Sequence, residues 1–284
     1  MVRNIKAAYL MLSPTIIWLL AFLVVPVAMI AIISFTTNTG FGGILYEFST
    51  EAYTLAFSSL YAQAIWQSLW WAGLATLSCV LIGYPFAYFI AHAGKWKNLL
   101  LLLVMIPFWT NLLIRLYSWI ILMNNQGAIN NLLIKLGIIS EPITMLYTPF
   151  AVIIGLVYGF LPFMILPIYA SIEQLNQSYL EAAEDLGANP VRTFFRVTLP
   201  LTFPGVLSGI VMTFVPAVSV FVVTDLLTGG RLLMIGNVIK DAFLVEMNWQ
   251  LGSAISLLLM ALVLISIVIL MKFTSKNNET SSFM

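Results

Sequence analysis

The acids and bases of this 284-residue chain are few: eleven Asp and Glu, twelve Lys and Arg, and one His. Five of them crowd into EAAEDLGANPVRTFFRVTLPLTFPG, residues 181–205, as Glu181, Glu184, Asp185, Arg192 and Arg196. On a helix, Glu181 and Glu184 share a face at i, i+3 and Asp185 follows at i+4 from Glu181, while Ala182 and Ala183 leave the backbone open to close approach. This acidic knob with a bare alanine patch suits either contact with another protein or an ordinary interfacial loop. It does not suit bond-making chemistry. The sole imidazole, His92, cannot supply a Ser/His/Asp set at a membrane edge, and neither H-E-x-x-H nor the phosphate loop G-x-x-x-x-G-K-[ST] occurs. No metal site is expected. The single Cys79 excludes an intrachain disulfide, and a net charge of +1 gives no reason to expect nucleic acid.

Local residue types predict how the knob is held. Leu180 to Leu186 favours helix, Gly187 suits the left-handed conformation that ends one, and Asn189-Pro190 starts a second short helix. Phe194 and Phe195 are apolar enough to anchor that second helix, and Arg192 and Arg196, at i, i+4, are free to meet solvent, lipid phosphate or a partner. Pro200 and Pro204 are expected to stop it and re-aim the chain.

Composition sets what surrounds these elements. With 61% hydrophobic residues, 8% charged and a mean hydropathy of +1.02, the chain cannot cover a soluble globule with polar surface. A bilayer core about 30 Å thick needs roughly 20 apolar residues of helix. Six stretches qualify, near 14–36, 66–92, 99–123, 146–171, 203–223 and 252–272. Arg3 and Lys6 precede the first, which lacks a small-residue cleavage site and reads as an uncleaved membrane helix. With the N-terminus inside, Arg3, Lys6, Lys95, Lys97, Arg192, Arg196, Lys272 and Lys276 fall inside, and only Lys135, Arg231 and Lys240 outside. The positive-inside rule therefore predicts an all-α integral membrane domain over 1–284, N-in and C-in, with 172–204 a cytoplasmic loop. Prolines 26, 85, 107, 162, 167 and 216 each remove a helix bond where no water replaces it, so kinked or broken helices are expected.

Carriers driven by protons or sodium keep acids or histidines within their helices. Here the one firmly intramembrane charge is Arg115, which is expected to pair with a carboxylate or helix C-terminus, or to snorkel to headgroups. If the chain moves a solute uphill, another subunit must supply the energy. A flexible polycation would want aromatic faces and a few oxygens along its path. Tyr88, Trp109, Tyr117, Trp119, Tyr158 and Phe221, with Asn111 and Asp225, are the candidates; interfacial settling of aromatics and capping by Asp225 are the alternative explanations. The outer loops carry Glu47, Glu51, Glu141, Asp225, Asp241 and Glu246, an acid surplus that topology alone would also produce.

The stretch at 181–205 resembles the E-A-A-x-x-x-G-x(9)-I-x-L-P loop of ATP-binding-cassette importer permeases. Glu181, Ala182, Ala183, Gly187, Leu199 and Pro200 match it, and Val197 replaces the isoleucine. Beyond the loop, IPFWTNLLIRLYSW (106–119), AVIIGLVYGFLPFMILPIYASIEQLN (151–176) and TDLLTGGRLLMIGNVIKDAF (224–243) are similar to the permeases of spermidine/putrescine importers. The resemblance implies a type I importer fold in a bacterial inner membrane, in which Glu181, Ala182, Ala183, Gly187, Ala188, Leu199 and Pro200 meet the ATPase. It further implies a second, non-identical permease, two cytoplasmic ATPase copies that bind ATP and Mg, and an extracytoplasmic polyamine-binding protein. No cofactor on this chain is implied. Other cargoes (ferric ion, sulfate or molybdate, a sugar) stay open at this point, as does a different class, an ion-driven carrier or a membrane scaffold.

Overall fold

The computed structural model describes residues 5–40 and 42–281; Arg3, one of the cations counted as inside, lies outside them. Among the described residues, five helices are long and apolar enough to cross a membrane, or six if one bent pair is a single span. Contacts divide the chain into two units, Met1–Ala62 with Val238–Leu262, and Gln63–Asn237 with Val263–Met284.

In the first unit, helix α1 (Ile5–Leu19) runs through a π turn at Leu20–Val24 into Val25–Ile33. From Leu12 to Ile33 apolar residues occupy every side and are largely exposed, as expected of a helix whose solvent is lipid. A short antiparallel pair follows, β1 (Thr37–Asn38) and β2 (Ile44–Leu45), then α2 (Glu51–Ala56). Gln250, buried near the start of α12 (Trp249–Ser281), donates from Nε2 to the carbonyls of Thr37 and Gly43 at 3.2 Å each, tying the hairpin to that helix.

The second unit is built on α3 (Ser59–Ala91), α7 (Pro149–Glu173) and α9 (Pro190–Ser219). Cys79, Tyr84, Ala87 and Ile90 of α3 pack with Met164, Ile165, Ile168 and Ile172 of α7 and Val206 of α9. Lipid gives helices little hydrophobic reason to associate, so close backbone approach and polar contacts must do much of it. Both occur here. A Cβ on Gly205 would stand 2.4 Å from the Ser171 Cβ and 2.7 Å from the Pro167 carbonyl oxygen, so only glycine allows α7 and α9 to meet there. The Tyr84 hydroxyl bonds the Thr202 hydroxyl at 2.8 Å inside the bundle.

Two spans differ from the sequence reading. The third is not one rod over 99–123. Helix α4 (Lys97–Met105) tightens into a 3-10 turn at Ile106–Trp109, Thr110 is extended, and α5 (Leu112–Met123) departs at 92°. Pro107 sits in the tight turn, and Asn111 starts α5 as its N-cap, its side-chain oxygen accepting from the Leu113 amide at 2.8 Å. The second difference is that Pro200 and Pro204 do not stop the helix begun at Pro190. Residues Phe194–Thr198 widen into a π turn, in which the Leu199 amide bonds the Phe194 carbonyl five residues back, and α9 runs on to Ser219. The wider turn makes room ahead of Pro200, whose ring would crowd the carbonyl four residues earlier in a regular helix. After α9, an extended Val220 separates it from α10 (Val222–Thr228). Shorter helices complete the chain: α6 (Ala128–Lys135), α8 (Gln177–Asp185) and α11 (Ile235–Leu244).

Candidate functional site

Helix α8 opens on Asn176, whose side-chain oxygen accepts from the Ser178 amide at 3.0 Å, and ends at Leu186. Gly187 then takes φ +77, its amide bonds the Glu184 carbonyl at 2.8 Å, and the Ala188 amide bonds the Ala183 carbonyl at 3.0 Å. These are the two bonds of a Schellman turn, which satisfies carbonyls the helix end would otherwise leave open. Asn189 caps the next helix through a 2.8 Å bond from the Arg192 amide, with Pro190 in its first turn. The structure therefore exposes Glu181, Ala182, Glu184, Asp185 and Gly187 on one short, well-closed helix, with Ala183 and Ala188 half-buried beneath.

Of the two phenylalanines, Phe194 alone is an inward anchor. Its ring meets Tyr84 and Tyr88 edge-on at 5.6 and 5.5 Å, whereas Phe195 is exposed. Leu199 packs on the same core and Pro200 faces outward. Leu186, 89% exposed, and Val191 add apolar surface beside the acids. The helix-end position of Leu186, one residue before a left-handed glycine, was the signal that could have singled it out.

Beside α8 lies a cavity of about 350 Å³ lined by Tyr88, His92, Lys97, Glu173, Leu180 and Thr198, among others. Lys97 and Glu173 form an ion pair at its rim, and the His92 Nδ1–H donates to the Tyr88 carbonyl at 2.8 Å. Tyr88 thus stands next to the acidic helix, apart from the other candidate path residues.

Those others fall into two groups. Trp119 and Tyr158 meet edge-on at 5.5 Å, and the Arg115 guanidinium lies over Tyr158 and Phe108, whose ring in turn meets Phe163 at 4.9 Å. Sequence reading missed Phe108 and Phe163, because only the break at Thr110 brings the residues before and after it against α7. Trp109, Asn111 and Tyr117 flank the same break on its exposed side. Among the described residues, Arg115 has no carboxylate partner, so the expected ion pair is replaced by ring faces.

The second group surrounds Asp225 on α10. Buried Asn237 donates from Nδ2 to the Asp225 carboxylate at 2.5 Å and to the Phe221 carbonyl at 3.3 Å, while its oxygen accepts from Thr224 at 2.7 Å and the Met234 amide at 3.1 Å. Asp225 is therefore a fixed, half-buried carboxylate rather than a loose loop acid. Asn237 was legible only as one amide in a polar segment.

The chain is similar to known proteins in both sequence and architecture. The chain is 48% identical over 251 residues to the spermidine/putrescine transport system permease protein PotB of Haemophilus influenzae, covering 87% of this chain and 88% of that one. It is 45% identical over 243 residues to PotB of Escherichia coli, covering 85% and 88%. In fold it is similar to a bacterial ABC transporter involved in the import of the acidic polysaccharide alginate, with a TM-score of 0.79, 21% identity and 96% of each chain covered. An inward-facing methionine ABC transporter, MetNI, matches at a TM-score of 0.58 and 17% identity, over 76% of this chain and 95% of that one. Residues 80–277, which hold the acidic helix, its Schellman turn and both groups of path candidates, match the model of the binding-protein-dependent transport system inner membrane component. The chain belongs to that family, as a multi-pass permease subunit of an ABC importer in the inner membrane.

Proposed function

We propose that this permease carries polyamines, spermidine or putrescine, and forms half of the path, the other half coming from a second, non-identical permease. Two copies of a cytoplasmic ATPase, binding ATP and Mg, drive it through the exposed helix Gln177–Asp185 and the turn at Gly187. An extracytoplasmic binding protein delivers the cargo. The observation that carries the cargo assignment is the 45–48% identity, over 85–87% of the chain, to permeases named for spermidine and putrescine transport. Two features of the fold support it. Aromatic rings gather on α5 and α7, where a cation finds ring faces. A carboxylate, Asp225, is held in place on α10 by Asn237. Charges joined by methylenes need that combination of faces and oxygen.

Uptake of labelled spermidine into vesicles holding the complete purified complex tests this reading. Uptake should need both ATP and binding protein, and should yield to putrescine but not to sulfate, maltose or ferric citrate. ATP-driven transport of one of the other competitors in place of spermidine would discard the cargo and keep the importer.

A further inference from the structure

The guanidinium of Arg115 is held by rings. Its Cζ lies 5.3 Å from the centre of Phe108 and 5.7 Å from that of Tyr158, while its Nε and Nη1 are buried with no hydrogen-bond acceptor. Among the described residues no carboxylate stands within ion-pair reach of it. Arg115 as a whole is half-buried, and nitrogens withdrawn from water normally regain through charge-assisted bonds what they lose. Here ring faces stand against those two nitrogens, and a ring face that attracts a guanidinium attracts an ammonium as well. The rings continue past the slot on both sides, to Phe163 at 4.9 Å from Phe108 and to Trp119 at 5.5 Å from Tyr158.

We propose that the slot between Phe108 and Tyr158 is a cation site for the ammonium groups of the cargo, and that Arg115 is a tethered competitor that fills it until cargo arrives. The inference rests on the polyamine reading above and adds a selectivity device to it. Exchanging one cation for another keeps the slot's charge constant, so the rings are never left with two positive charges between them. Arg115 sits on a flexible stem and can leave without moving α5. A single ammonium gains little from the exchange, since one ring-held cation replaces another. A molecule with several ammonium groups spaced by methylenes reaches the neighbouring rings as well, and so displaces the arginine where a monoamine does not. The tether lowers apparent affinity by the fraction of time it fills the slot.

The test is equilibrium binding of labelled spermidine to the complete complex in nanodiscs without binding protein. Arg115→Met should bind about three- to thirtyfold more tightly, the range that releasing one ring-held cation allows. Arg115→Lys, which keeps a tethered cation, should bind more weakly than Arg115→Met and closer to wild type. Tyr158→Leu, which removes one wall, should weaken binding about tenfold. An assembled Arg115→Met complex that binds like wild type, or more weakly, overturns the proposal. If that variant does not assemble, Tyr158→Leu decides, and unchanged affinity there overturns it. Wild-type complex that binds no spermidine removes the cargo reading itself, whereas wild-type binding without these shifts removes only the competitor.

Discussion

The Ala188 amide reaches back across Gly187 to the Ala183 carbonyl at 3.0 Å, so the acidic helix is closed by the residue that follows its glycine. The φ of +77 at Gly187 makes that reach possible, and a Cβ there would meet nothing within 4 Å. The cost of any substitution is thus backbone strain, about 1–2 kcal/mol for a left-handed residue with a side chain.

Gly187→Val is therefore expected to loosen the turn and abolish most ATP-driven uptake, and Gly187→Asn, which tolerates this conformation better, to keep much of it. Glu181→Lys and Gly187→Asp should leave membrane insertion intact and lose the ATPase on co-purification. Normal uptake by Glu181→Lys or Gly187→Asp would contradict the docking role.

The buried Tyr84–Thr202 pair predicts unequal single variants. Tyr84→Phe removes one hydroxyl and leaves the Thr202 bond to the Thr198 carbonyl at 2.8 Å in place, so it should cost about 0.5–1.5 kcal/mol. Thr202→Val strands the Tyr84 hydroxyl inside the bundle and should cost about 1–3 kcal/mol. Thermal unfolding of the detergent-solubilised complex would show whether the second drop in Tm exceeds the first.

Helix approach at Gly205 gives a third expectation. Gly205→Ala drives a methyl against the Ser171 Cβ and the Pro167 carbonyl oxygen, an overpacking worth about 1–3 kcal/mol. Adding Ser171→Gly removes the first clash but not the second, so the yield of folded complex should recover only in part. Full recovery would mean that the backbone at Pro167 yields more readily than its place in α7 implies.

Asp225 supplies the fourth. Asp225→Asn keeps the shape of the Asn237 network and removes the charge, so spermidine uptake should fall at least severalfold while the complex co-purifies as wild type. Asn237→Ala strips the buried partner from Asp225, Thr224 and Met234 together and should lower stability as well as uptake. Unchanged spermidine uptake by Asp225→Asn would remove that carboxylate from the path.

What could be read in advance was whatever depends on neighbours in sequence. Gly187 and Asn189-Pro190 specify a turn and a cap through their own backbone preferences, and both stand where expected. Long apolar runs specify spans because length and composition suffice. Direction is another matter. Residues 99–123 are apolar throughout, yet Asn111 caps a new helix there and turns the chain through 92°. Conversely, Pro200 and Pro204 looked like a stop, but a π turn, invisible to residue preference, carries the helix past them. The aromatic row needed the 3-10 turn, α5 and α7 to be in place before Phe108 could be seen beside Arg115.

The π turn has a mechanical consequence. Because Pro190 to Ser219 is one helix of 30 residues, it is a lever about 45 Å long, with the acidic turn just before one end and the break before α10 at the other. Tilting it by roughly 10° sweeps its far tip through about 8 Å, more than one helical turn. A break at Pro200 would have absorbed such a stroke within a few residues; a continuous helix passes it on to the extended Val220, where the chain leaves for α10 and Asp225.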